Sequence, residues 1–223
     1  MGNICVTGDD ESWEEQDLDA LPHLTTPDLV LKYLKDIFEM SKQFDYNPSK
    51  DTKSVGNALK SVIRMLCEDS STQSNFDGCS QIISILKRHE HSEKVSMLGI
   101  KTISKLARID DCDNMTSNEL NISRLGEAGA AEEFVKLLKK YEGRELVVQE
   151  ICRGIRNLVY KNEANQAKFR VAGACEAVVK IFNTYNENPN VIKQACIAIR
   201  SLAYDDFNQL ALISIGAGDA VLR

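Results

Sequence analysis

Three histidines, seven cysteines and the first five residues are the places where this chain could carry chemistry. His89-Glu90-His91 offers two imidazoles and a carboxylate, a donor set suited to zinc. Histidines two apart on a helix point about 200° from each other. The triplet also falls between two expected helices, so it reads as a solvated turn. His23 has no nucleophile motif beside it, and no acyl-transfer triad forms around it. Cys5, Cys67, Cys79, Cys112, Cys152, Cys175 and Cys196 are dispersed, without a C-x-x-C pair or zinc-ligand spacing. They are expected as free thiols of a reducing cytosol. No G-x-x-x-x-G-K-[ST] phosphate loop occurs. The expectation is a protein that is not an enzyme and that holds no cofactor and no metal.

The amino terminus points to modification chemistry instead. Met1-Gly2-Asn3-Ile4-Cys5 exposes Gly2 once Met1 is removed, which N-myristoylation requires. The Ser or Thr expected at position 6 is Val6, with Thr7 one place late. Cys5 supplies a site for a second, palmitoyl chain. One myristoyl chain holds a membrane marginally, whereas two make attachment stable. Peripheral attachment to the cytosolic face of a membrane or organelle follows, with cytoplasmic localisation. The alternative is an acidic leader in which Gly2 is incidental.

Charge separates the leader from the rest. Seven acids and no Lys or Arg lie in residues 1–27, so that segment accounts for the whole net charge of −6. The body is near neutral, which argues against a nucleic-acid partner. No run of 18 apolar residues is present to span a bilayer.

The elements that position these residues come from a repeat. Residues 127–141 and 171–185 align without a gap at an offset of 44. Ile155-Arg156-Asn157-Leu158 returns at the same offset as Ile199-Arg200-Ser201-Leu202, whereas Asn165-Gln166 and Gly173-Ala174 return at 43. One unit contains three helices. Residues 165–172 form a short helix opened by Asn165, and Gly173 ends it in a turn that needs positive φ. Residues 175–185 form a second helix, with Ala177, Val178, Ile181 and Phe182 on one face. Asn186-Glu-Asn-Pro189 is a turn, with Pro189 in the first turn of a third helix running to about Tyr204. Further upstream, Thr26-Pro27-Asp28 starts a helix over 29–44, its partner covers 52–67, and 79–88 with 93–107 form the next pair. Asp110-Asp111-Cys112-Asp113-Asn114 is a polar insertion.

Short helix, glycine turn, middle helix and long third helix resemble the armadillo layout. The segment NQAKFRVAGACEAVVKIF is similar to the family's first and second helices, and ICRGIRNL to its third, clearly so over 119–218. The resemblance implies an all-α, armadillo-type α-solenoid, a right-handed superhelix of three-helix repeats. Three regions are expected: an acidic leader over 1–26, irregular helical repeats over 27–118, and regular repeats over 119–223 with the last incomplete. The incomplete end suggests a fragment of a longer chain. The two-helix HEAT repeat, which lacks the glycine turn, is the competing layout.

In armadillo proteins the third helices line a concave groove for extended peptides. The groove Asn of the family matches Asn157, with Lys105 and Ser201 in the flanking copies; its groove Trp matches Arg153, Lys101 and Ile197. This departs from the Asn/Trp ladder of importin-like cargo receptors. With Arg156, Arg200, Gln149 and Lys193 added, the implied groove is basic and suited to extended acidic peptide segments. The alternative is an ordinary solvated helix face. Lys136 and Lys180 belong to the outer surface. The expected function is a protein-interaction scaffold or adaptor, its head resembling that of acylated armadillo-only proteins. The rivals are an armadillo regulatory segment of a larger multidomain protein and a cargo or transport receptor. Residues 9–21, acidic with apolar Trp13, Leu18 and Leu21, are themselves suited to lie along Arg153, Asn157 and Arg200 and compete with partners.

Overall fold

The computed structural model describes residues 48–68, 76–108 and 116–218, together with positions 31, 32, 35, 36 and 39. Gly2, Cys5, the acidic leader, the 110–114 insertion and most of the helix expected over 29–44 lie outside the described residues. All regular structure among the described residues is helical.

Among the described residues, ten helices with defined bounds follow in order: α1 (Pro48–Glu68), α2 (Cys79–Arg88), α3 (Glu93–Leu106), α4 (Thr116–Glu127), α5 (Ala130–Lys140), α6 (Glu145–Val159), α7 (Glu163–Val171), α8 (Ala174–Thr184), α9 (Pro189–Leu202) and α10 (Asp206–Ser214). They sort into three rows. First helices α4, α7 and α10 follow one another along the stack, as do middle helices α2, α5 and α8. Third helices α1, α3, α6 and α9 pack side by side in the most extensive row. Each unit buries its apolar stripe partly against its own helices and partly against the next unit, so one core runs from Val55 to Ala217.

Local chemistry sets the helix ends. Ser92, Asn162, Asn188 and Asp205 cap α3, α7, α9 and α10, each accepting from backbone N–H groups of the first turn, and Pro189 occupies the first turn of α9. Gly129 and Gly173 sit at φ +92° and +84° between first and middle helices, the left-handed turn expected at Gly173.

Two expectations need correction. The short helix is opened by Asn162 rather than Asn165, because the Asn162 side chain accepts the Asn165 N–H at 2.9 Å. This frees the Asn165 amide for the interior. The His89-Glu90-His91 turn is only partly solvated. His91 is exposed, whereas His89 caps α2 and is buried under the connection to α3.

Candidate functional site

The third-helix row presents a single outward stripe. On α6 it runs through Glu145, Gln149, Arg153 and Arg156, at three- and four-residue spacing on one helix face. The equivalent stripe on α9 carries Lys193, Ile197 and Arg200, and on α3 it carries Lys101 and Lys105. Arg153, Lys193 and Arg200 are exposed; Lys101, Lys105, Gln149, Arg156 and Ile197 are half-buried. Gln149 donates to the Glu145 carboxylate at 3.2 Å, and Arg153 pairs with Glu150 at 3.1 Å. Among the described residues, Lys105, Arg156, Lys193 and Arg200 make no ion pair.

Asn157 and Ser201 stand elsewhere. Asn157 is 5% exposed, and its amide donates to the Ser104 carbonyl of α3 at 2.9 Å. Ser201 is 1% exposed, and its hydroxyl donates to the Ile197 carbonyl at 2.9 Å. Both side chains are buried and spend their donors on backbone carbonyls. The reason is angular: they lie one residue beyond Arg156 and Arg200, about 100° around the helix, where Asn157 reaches the neighbouring third helix and Ser201 bonds back to its own.

Other buried amides serve the same stacking. Asn165 donates to the carbonyls of Ile122, in the preceding first helix, at 3.1 Å and Leu158 at 2.9 Å. Asn208 repeats this toward Gln166 at 3.4 Å and Leu202 at 3.0 Å. Tyr141 and Tyr185 each donate a hydroxyl, at 2.8 Å, to a carbonyl of the preceding unit, Glu90 and Glu142 respectively. The Asn-Gln recurrence was the sequence signal for the first ladder, and Tyr141/Tyr185 at the 44 offset was the signal for the second.

Some cations of the middle-helix side are paired, although Lys87 and Lys139 make no ion pair among the described residues. Lys136 hydrogen-bonds Glu90 and holds that carboxyl below its usual range, Lys180 meets Glu142 at 2.5 Å, and Arg144 meets Glu93 at 3.2 Å. Burial pushes the Glu133 carboxyl above its usual range. Burial likewise pushes the Cys79 and Cys152 thiols up to about 12 and Cys175 to about 11, which suppresses thiolate chemistry at these sites. Among the described residues no group of three His, Cys, Asp or Glu is placed to hold a metal ion, and no helix is long and apolar enough to cross a membrane.

Repeats of three helices with a left-handed glycine turn, stacked so that third helices form one face, define an armadillo-like repeat solenoid. A designed armadillo repeat protein, solved in complex with the peptide (KR)4, matches at a TM-score of 0.63 and 23% identity, over 86% of this chain and 70% of its own. An engineered protein matches at a TM-score of 0.51 and 20% identity, over 92% and 87%. Comparison with protein-family profiles and with curated proteins finds no match.

Proposed function

We propose that this chain is a non-enzymatic interaction scaffold whose third-helix row binds extended acidic segments of partner proteins. The observation that carries the reading is the line of cations along the stacked third helices. Lys105, Arg156, Lys193 and Arg200 lie on stacked third helices without a carboxylate partner among the described residues. Unmatched cations in a row favour an anionic ligand and disfavour a cationic one. The designed neighbour holds a basic peptide; the preference here is the reverse. Fluorescence anisotropy with a labelled Glu-rich peptide and with (KR)4 tests this. The acidic peptide should bind, with affinity falling as salt is raised. Reversing Arg156 and Arg200 to Glu should weaken it about tenfold or more, from exposed pairs of about 0.2–1 kcal/mol each turned into repulsions. Tighter binding of (KR)4, or no binding of either at low salt, refutes the reading.

The scaffold is further proposed to be held at the cytosolic face of a membrane by acylation of Gly2 and Cys5. The supporting feature is the pairing of a myristoylation-type Gly2 with a nearby thiol, which meets the two-chain requirement for stable anchoring. Labelling with a myristate analogue should disappear in Gly2→Ala, and Cys5→Ser should weaken membrane retention. An unlabelled wild-type protein rules this out.

A further inference from the structure

The third helices continue past the arginines. Tyr160 caps the end of α6 and Tyr204 follows the C-cap of α9, each four residues beyond an arginine, Arg156 or Arg200. The two rings meet edge to face, with centroids 5.5 Å apart and planes at 84°. Tyr160 is half-buried, and Tyr204 remains 54% exposed.

A second irregularity falls at the same edge. Third helices recur at 44 residues but first helices at 43, and the difference is Lys161. Three residues connect α6 to α7, Tyr160-Lys161-Asn162, whereas α9 to α10 follows the same path through the N-cap with one residue fewer after the tyrosine. Among the described residues, Lys161 is the one non-glycine residue with positive φ, at 53°. A long side chain rarely adopts this backbone unless its surroundings support it. Its ammonium stands 5.3 Å from the centroid of the Tyr160 ring.

Along the ends of α6 and α9, Arg156 and Arg200 thus make one line and the paired rings of Tyr160 and Tyr204 a second, four residues further along each chain segment. An extended backbone lying between the lines sends successive side chains to opposite sides. We propose that this edge of the third-helix row selects an extended protein segment in which a carboxylate and an aromatic side chain are neighbours. The carboxylate meets Arg156 or Arg200, and the aromatic ring stacks on Tyr204. Lys161 keeps the Tyr160 ring in place by its cation–π contact and adds positive charge to the rim. Single-stranded nucleic acid also uses cations with aromatic platforms. The protein ligand is favoured because residues 28–223 are near neutral, whereas nucleic-acid binding draws on a strong basic excess. The inference rests on the acidic-segment reading above and deepens it.

The test uses the full chain and two labelled octapeptides, Glu-Glu-Trp-Glu-Glu-Trp-Glu-Glu and the same peptide with Ala for Trp. Wild-type protein should bind the Trp peptide about three- to tenfold more tightly, the worth of one well-placed aromatic pair. Tyr204→Ala should abolish that preference while leaving the affinity for the Ala peptide unchanged, and Tyr204→Phe should retain it. Because Tyr204 lies outside the core, helical circular dichroism should be the same for all three proteins. Equal affinity of the two peptides for wild type, or a preference that survives Tyr204→Ala, overturns the inference and leaves the acidic-segment reading standing. Failure of both peptides to bind overturns both. Tighter binding of a single-stranded oligonucleotide than of the Trp peptide overturns the inference in favour of nucleic acid.

Discussion

One substitution type should have opposite effects at two helical glycines. A glycine in a helix interior costs about 1 kcal/mol relative to alanine, so Gly→Ala is stabilising wherever the methyl fits. At Gly56 in α1 it fits, because the new Cβ would stand 3.7 Å from Leu98 Cδ1, an ordinary contact. At Gly154 in α6 it would overlap the Phe134 ring, reaching 3.0 Å from Cζ, and lie 3.2 Å from Ser104 Oγ. Phe134 is fully buried and packs edge-on to Phe169 with centroids 6.3 Å apart, so its ring has no space to retreat into. Overpacking of this kind costs about 1–3 kcal/mol, leaving a net loss of up to about 2 kcal/mol after the helix gain. At about 2–4 °C per kcal/mol for a chain of this size, Gly56→Ala should raise the Tm by a few degrees and Gly154→Ala should lower it by up to about 8 °C. Thermal melts followed by circular dichroism at 222 nm provide the readout. The Gly154 substitution should also disturb the surface stripe, since Gly154 lies one turn before Asn157, whose amide ties α6 to α3. Shifts of the same sign at both glycines would refute the view that close approach of α6 to α5 and α3 is what requires Gly154.

Asn165→Ala leaves two buried carbonyls without their donor and should cost about 2–4 kcal/mol in denaturant melts; a neutral effect would show that the amide ladder does not hold the first helices together. Glu133 has a folded-state pKa raised by burial, so its destabilising ionisation sets in as pH rises through that pKa. The Tm advantage of Glu133→Gln over wild type should therefore widen from about pH 4 to pH 7, and parallel curves would count against it. Alkylation at pH 8 followed by peptide mapping should mark exposed Cys67 and leave Cys79, Cys152 and Cys175 protected until denaturant is added. Deleting residues 1–21 should raise the affinity for an acidic peptide, most clearly at low salt, if the leader competes for Arg153 and Arg200; unchanged affinity at low and high salt alike removes that role.

The order of helices was legible in the residues. Hydrophobic spacing, the glycine at each left-handed turn, and Pro189 at the start of α9 act within a few residues of themselves, so sequence alone placed α2, α3, α8 and α9 to within two or three residues. The 44- and 43-residue offsets likewise followed from the sequence, because a stack of equivalent units must repeat whatever its interfaces need. What a side chain faces depends on how far around its helix it falls relative to the neighbouring unit, and only tertiary packing decided that. A rotation of about 100° separates Arg156, on the surface, from Asn157, tied to the Ser104 carbonyl, and likewise Arg200 from Ser201. The same packing buried His89 in a turn that reads as polar, and turned Asn165 from a cap into an interhelical bridge. It also brought Tyr160 and Tyr204 into contact across 44 residues of chain, where Lys161 accounts for the one-residue change in period. Period is local information repeated, whereas facing is set by the contacts between repeats.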